Sequence, residues 1–212
     1  LLDKKNNENI QIEQFLDKKN IISIFPGSRI SEIKHHMPIL INFIKKMNIK
    51  DPKYNFIFHA TDQNKKLIES YILKESIQNL EIINDDKIKT VVLKKSIFAV
   101  VKSGTVSLEV CKMNVPSVII YKMNFINFYL AKFLLNIKFV NMINIINKRE
   151  VIPELIQSEC NADEIFKSVY YFLKKPDLIV KQKEEIKKTL ETLTSPSSSS
   201  EEASKIILSY IS

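Results

Sequence analysis

Ile21-Ile22-Ser23-Ile24-Phe25-Pro26-Gly27-Ser28-Arg29 is the stretch on which the fold turns. Its first five residues are almost wholly apolar and rich in β-branched side chains, as expected of a strand buried on both faces of a parallel sheet. The run stops at Pro26-Gly27, and a helix is predicted from Ser31, with Glu32 in its first turn. Ile33, Met37, Leu40, Ile41 and Ile44 recur at helical spacing and would face the sheet.

Outward from this unit the alternation repeats. Strands are predicted over Tyr54 to Ala60, Leu80–Ile83, Ile97 to Val101 and Ser117–Tyr121. Helices are predicted between them over Lys65–Ser76, near Asp86–Lys95, and over Val106 to Met113. Strand and helix in turn define an α/β chain, a Rossmann-like doubly wound parallel sheet covered on both faces. Beyond Tyr121 the character changes. Phe125–Leu135 reads as a strongly apolar helix, Phe139–Ile143 as a short extended piece, and Pro153–Gln157, Asp163–Lys174 and Asp177 to Leu193 as helices. A small-polar break at Thr194 to Ser200 precedes a last helix, about Ser200–Ile211. Residues 1–20 form a polar approach segment with a short helical pattern at Ile12, Phe15 and Leu16.

The 212 residues suit one sizeable α/β domain with appendages. Hydrophobic residues make up 45% and charged residues 26%, ordinary for a globular protein. The net charge of +8 favours anionic partners in general. Its lysines are scattered and no nucleic-acid motif is present, so RNA and DNA are not expected partners. Cys111 and Cys160 stand far apart without zinc or redox spacing, and Cys111 reads as a small core residue. No signal peptide and no apolar run long enough to cross a membrane is visible. The chain opens on Leu1 rather than Met, as expected of a piece of a longer reading frame.

The whole chain holds two glycines, Gly27 and Gly104. Both follow predicted strands, in Pro26-Gly27-Ser28-Arg29 and Ser103-Gly104-Thr105. Open parallel sheets bind ligands at the carboxyl ends of their strands, where helix N-termini present unpaired N–H groups. Glycine lets backbone approach a phosphate closely, Ser28, Ser103 and Thr105 offer hydroxyls, and Arg29 offers a planar fork of donors. Either loop alone reads first as an ordinary strand-to-helix turn; together they point to a diphosphate site. Glu109, one turn into the helix after Thr105, could accept from the two hydroxyls of a ribose or stand as an exposed helix glutamate. Neither loop has the Walker or G-x-G-x-x-G spacing. His35-His36 point in different directions on a helix with no third ligand near, so they read as solvent-exposed histidines and no metal is expected. No nucleophile–His–acid order is recognisable, so the chemistry is expected to come from positioning or from residues outside this sequence.

In order, these pieces resemble the lipid-A-disaccharide synthases. An apolar strand with P-G-S-R and E-I stands here as Ile24 to Arg29 with Glu32-Ile33. The family's S-G-T-x-x-L-E motif stands as Ser103 to Glu109, and its P-x-V-V-x-Y-K/R stretch is similar to Pro116 to Lys122. The last signature stands as Asn144-Ile145-Ile146, then Arg149-Glu150-Val151-Ile152-Pro153-Glu154-Leu155-Ile156-Gln157. One departure is Asn147-Lys148, where the family usually has a Gly before the Arg.

The resemblance implies the C-terminal half of a two-domain (GT-B) glycosyltransferase. Residues 1–20 would be an approach segment, 21–175 a Rossmann-like UDP-sugar-binding domain and 176–212 C-terminal helices, with the N-terminal acceptor domain absent. The implied reaction transfers 2,3-diacylglucosamine from UDP-2,3-diacylglucosamine to 2,3-diacylglucosamine 1-phosphate, giving the lipid A disaccharide 1-phosphate and UDP. No cofactor is implied. Gly27, Ser28, Arg29, Ser103, Gly104 and Thr105 would hold the diphosphate, and Glu109 the ribose. Asn144, Arg149, Glu150 and Gln157 would line the same cleft, and the general base would belong to the missing N-terminal half. The lipid substrates imply a cytoplasmic protein at the inner-membrane surface, which the lysine-flanked Phe125–Leu135 helix would also suit, although that segment reads first as a core helix. Two other readings stand beside it: a UDP-sugar epimerase or other GT-B transferase, and a non-catalytic UDP-binding remnant or subunit of a split synthase. Little turnover by this chain alone is the expectation.

Overall fold

A computed structural model describes residue 15 and residues 17–75, 77–122 and 138–193. The Phe125–Leu135 segment, the 194–200 break and the terminal helix expected over 200–211 lie outside the described residues. The elements run β1 (Ile21–Phe25), α1 (Ile30–Lys50), β2 (Asn55–His59), α2 (Lys65–Ile72), β3 (Leu80–Ile83), α3 (Asp86–Lys95), β4 (Ser96–Lys102), α4 (Thr105–Lys112) and β5 (Ser117–Tyr121). After these come α5 (Met142–Asn147), β6 (Glu154–Ile156), α6 (Ala162–Lys174) and α7 (Pro176–Leu193).

The six strands form one sheet in the order β3-β2-β1-β4-β5-β6, parallel throughout. β1 is buried along its whole length and divides its side chains between two cores. Ile22 and Ile24 join α1, α2 and α6 on one face, through Met37, Leu40, Ile44, Ile68, Ile165 and Val169. Phe25 faces the other layer with Val110, Cys111, Ile143 and Ile186, while Ile21 packs with Ile57, Ile83, Ile88 and Val92 of the same side. Full burial of each such side chain contributes about 1.5–3 kcal/mol, which is why a five-residue run with no polar face makes a central strand.

α1 runs through Pro38, which lies on its exposed side. Pro38 has no N–H to donate to the carbonyl four residues back, and the buried apolar stripe on the opposite side holds the helix together. The last helix, α7, returns to the sheet. Gln182 accepts from the Ser117 N–H at 2.8 Å and donates to the Ser117 carbonyl at 3.1 Å, extending the ladder of β5 with a side chain.

Two expected elements differ. Pro153–Gln157 contains a strand, β6, which pairs with β5 at Ile119↔Glu154 to Tyr121↔Ile156. A three-residue strand is too short for its period to be told from a helical turn. Phe139–Ile143 is not extended: α5 begins at Met142, with the Asn141 side chain accepting from the Ile143 N–H. The asparagine N-cap carried the start signal.

Candidate nucleotide site

β1 lies between β2 and β4, and the chain's windings leave it in opposite directions, so its carboxyl end is a topological switch point. A cavity of about 520 Å³ opens there, lined by Phe25, Gly27, Ser28 and Arg29 of the first loop and Lys102, Ser103, Gly104 and Thr105 of the second. The ends of β2 and β3 close the remaining wall with His59, Thr61, Asp62, Ile83, Asn84 and Asp85, and Lys89 of α3 reaches in from the side. Both glycines adopt positive φ, +117° at Gly27 and +153° at Gly104. At each, a side chain would be strained.

The two helix N-termini that face this cavity differ. At α1 the Glu32 carboxylate turns back and accepts from the N–H groups of Ser28 at 3.1 Å and Arg29 at 3.2 Å, a capping-box arrangement. Lys102 pairs with the same carboxylate at 2.8 Å. Burial alone would raise the Glu32 pKa, but the Lys102 hydrogen bond and the backbone donors outweigh it and hold the carboxyl below its usual range. A Cβ on Gly27 would lie 2.7 Å from Glu32 Oε2, so glycine is required for this turn. At α4, Gly104 is the N-cap and no side chain caps the helix.

The other expected site residues fall into two groups. Glu109 is half exposed and is not among the cavity-lining residues, but its carboxylate pairs at 2.7 Å with Lys89, which is. Arg29 is largely exposed at the rim, its guanidinium 3.3 Å from Glu32. Ser103 lines the cavity, but its hydroxyl donates to the Val140 carbonyl at 2.7 Å. Asn144, Arg149, Glu150 and Gln157 are not among the cavity-lining residues. Asn144 is fully buried and saturated: its amide donates to Ile152 O and Glu154 Oε1, and its carbonyl accepts from the N–H groups of Val151 and Ile152. Glu150 accepts from the Glu154 N–H at 3.2 Å, Arg149 pairs with Glu185 of α7 at 2.9 Å, and Gln157 ends β6 in a left-handed conformation.

Glu154 explains what the Asn144 signature does. Its buried carboxylate accepts from the N–H groups of Val140 at 2.8 Å and Asn141 at 2.9 Å. Burial raises its pKa against those donors and Asn144, with nearby Glu150 adding to the rise. Asn141 in turn donates to Ser107 Oγ at 3.0 Å, and Ser107 donates to Gly104 O at 2.6 Å. A continuous polar chain thus runs from the last signature to the second glycine loop and fixes that loop from behind.

His36 and His59 were not singled out as site residues, and the expectation of an exposed His36 is corrected. His36 is wholly buried, its Nδ1 bonded to the Pro26 carbonyl at 2.7 Å and its Nε2 accepting from the Lys122 N–H at 3.1 Å. Burial lowers its pKa, so a neutral ring ties the first loop to the end of β5. His35 is exposed as expected. His59 stacks on Phe25 with ring centroids 4.0 Å apart. Its Nε2 lies 2.8 Å from Ser23 Oγ, which lies 2.7 Å from Ser96 Oγ, and Ser96 donates to Val92 O. Ser96 has spent its proton, so Ser23 donates to Ser96 and His59 Nε2–H donates to Ser23. Burial first, and Lys89 second, push the His59 pKa down to about 3. Among the described residues no group of His, Cys, Asp and Glu could hold a metal ion.

A parallel α/β sheet with a cavity at its switch point, flanked by glycine turns and an uncapped helix, is a fold found among solved glycosyltransferase domains. The C-terminal domain of a group 1 glycosyltransferase from Francisella tularensis shares it, with a TM-score of 0.56 at 13% identity over 86% of this chain and 90% of that one. A Staphylococcus aureus protein, MnaA, solved with UDP, gives a TM-score of 0.56 at 16% identity over 82% of this chain and 42% of its own. The chain belongs to the lipid-A-disaccharide synthetase family, whose profile matches residues 2–208. Lipid-A-disaccharide synthase 1 of Legionella pneumophila is 32% identical over 176 residues, covering 82% of this chain and 45% of the relative. The chain thus spans about half the length of the curated relatives it matches.

Proposed function

We propose that this chain is the nucleotide-sugar-binding half of a lipid-A-disaccharide synthase. It would bind UDP-2,3-diacylglucosamine and, completed by an N-terminal half carrying the acceptor groups and general base, pass the diacylglucosamine to 2,3-diacylglucosamine 1-phosphate. The observation that carries the reading is the cavity between the two glycine loops, with the bare N-terminus of α4 at its edge. The backbone donors of Gly104 and Thr105 and the Arg29 fork would meet the diphosphate, and Glu109 the ribose. Donors fixed in place before the bond breaks stabilise the charge that grows on the departing UDP, so this half can favour transfer without supplying a base. Asn144, Glu150 and Glu154 act from behind, by holding the Gly104 loop.

Membership of the family and the likeness to a fold that holds UDP in MnaA support the nucleotide. Among the described residues no helix is long and apolar enough to cross a membrane. Association with the inner-membrane surface through the 125–135 segment belongs to the same proposal, and binding to anionic liposomes at low salt tests it. The test of the nucleotide is a calorimetric titration with UDP of this chain and of an Arg29→Ala, Glu109→Ala double variant. Binding by the parent that is lost in the variant is expected; a folded parent that does not bind UDP sinks the reading.

A further inference from the structure

The cavity offers two helix N-termini, and Glu32 distinguishes them. Its carboxylate already takes the N–H groups of Ser28 and Arg29, so an incoming phosphate finds those donors engaged by an anion. The space over Gly104 is different. A Cβ built there would meet a single heavy atom beyond its chain neighbours within 4 Å, Lys102 Nζ at 3.8 Å. The open side of the uncapped helix therefore has an ammonium at its margin. That ammonium is held on its other sides, by Glu32 Oε1 at 2.8 Å and over the Tyr121 ring at 5.3 Å from the centroid. An ammonium has three donors, and Glu32 engages one.

We propose that Lys102 is a direct contact of the substrate diphosphate, held in place by Glu32 and Tyr121, and that the diphosphate sits over Gly104 rather than in the Pro26–Arg29 turn. This rests on the nucleotide reading above and deepens it. Before binding, the Glu32–Lys102 pair keeps the cavity floor close to neutral; a phosphate over Gly104 adds a second anion to Lys102, which can serve both. Ser28 and the backbone of Arg29 then act by shaping the turn, and Arg29 reaches the ligand through its guanidinium alone.

The experiment is a calorimetric UDP titration of the parent chain, Lys102→Met, Lys102→Arg, and Lys102→Met combined with Glu32→Gln. A charged hydrogen-bond partner lost from such a site weakens binding about 10- to 100-fold. That loss is expected in Lys102→Met, with partial recovery in Lys102→Arg and none in the double variant. Restoration in the double variant would overturn the proposal, because Lys102 would then serve only to neutralise Glu32. So would binding by Lys102→Met within twofold of the parent. The double variant keeps the charge balance of the floor and carries the test if Lys102→Met does not fold. A parent that fails to bind UDP refutes the nucleotide reading itself, and is seen before any variant is made.

Discussion

Replacing Asn144 by Ala removes four hydrogen bonds at once: two donated to Ile152 O and Glu154 Oε1, and two accepted from Val151 and Ile152. Each buried bond contributes about 0.5–1.5 kcal/mol net, and the groups left behind include a buried carboxylate, so the loss should reach about 3–5 kcal/mol. With a urea dependence of about 2 kcal/mol per molar for a domain of this size, the unfolding midpoint should fall by about 1.5–2.5 M. Circular dichroism during urea titration reads that shift, and a UDP titration of the variant under conditions where it is folded reads the site. The expectation is a large loss of stability with affinity of the folded protein changed less than about threefold, since Asn144 touches the scaffold of the Gly104 loop and not the cavity. A variant that keeps its urea midpoint but loses UDP binding would show that Asn144 reaches the ligand, and the argument from its saturated partners would be wrong.

Three further outcomes follow from single residues. Gly27→Ala puts a Cβ 2.7 Å from Glu32 Oε2 at a φ of +117°, and should cost about 2–4 kcal/mol, a melting shift of about 10 °C; an unchanged melting temperature would refute the cradle. His59 has its folded pKa pushed from 6.5 to about 3, so its contribution is complete above pH 6.5 and drains as pH falls toward 3. The loss should be about 2 kcal/mol between pH 7 and 5. Stability curves of parent and His59→Gln should diverge over that window, and parallel curves would remove His59 as the cause. Lys148 caps α5 with a left-handed φ of 52°, so Lys148→Gly should stabilise by up to about 1 kcal/mol in urea unfolding; destabilisation would count against strain there.

Which parts of this arrangement could be read from the chain follows from the range of the forces involved. β1, β5 and the helices around them were legible because burial on both faces demands unbroken apolar runs. The two glycines pointed to the cavity because no other residue fits their backbone. The placement of Asn144 was not legible: its motif spacing marks it, but only the fold shows that its partners are Glu154 and the 151–152 backbone. His36 reads as exposed because no third ligand stands near it in the sequence, whereas its two partners, the Pro26 carbonyl and the Lys122 N–H, come to it only in the fold. At Asn147-Lys148 the left-handed residue is the lysine, while Asn147 bonds back to Ile143 O and across to Thr189. Glu32 was visible as a first-turn acid, yet its pairing with Lys102 depends on two strand ends meeting.

The strand order has a consequence for how the chain reaches its native state. β1 pairs with β2 through Ile21↔Asn55 and with β4 through Ile21↔Ser96, so its second neighbour is made long after its first. The first three strands can zip together early on the ribosome, leaving one flank of β1 open with unpaired amides and carbonyls. Arrival of β4 closes that flank and, in the same event, brings Lys102 and Gly104 against Gly27 and Glu32. On the proposed reading, nucleotide would therefore bind only after this longest-range strand pairing is complete. By binding the completed sheet and not the open one, it would draw the population past that step by mass action.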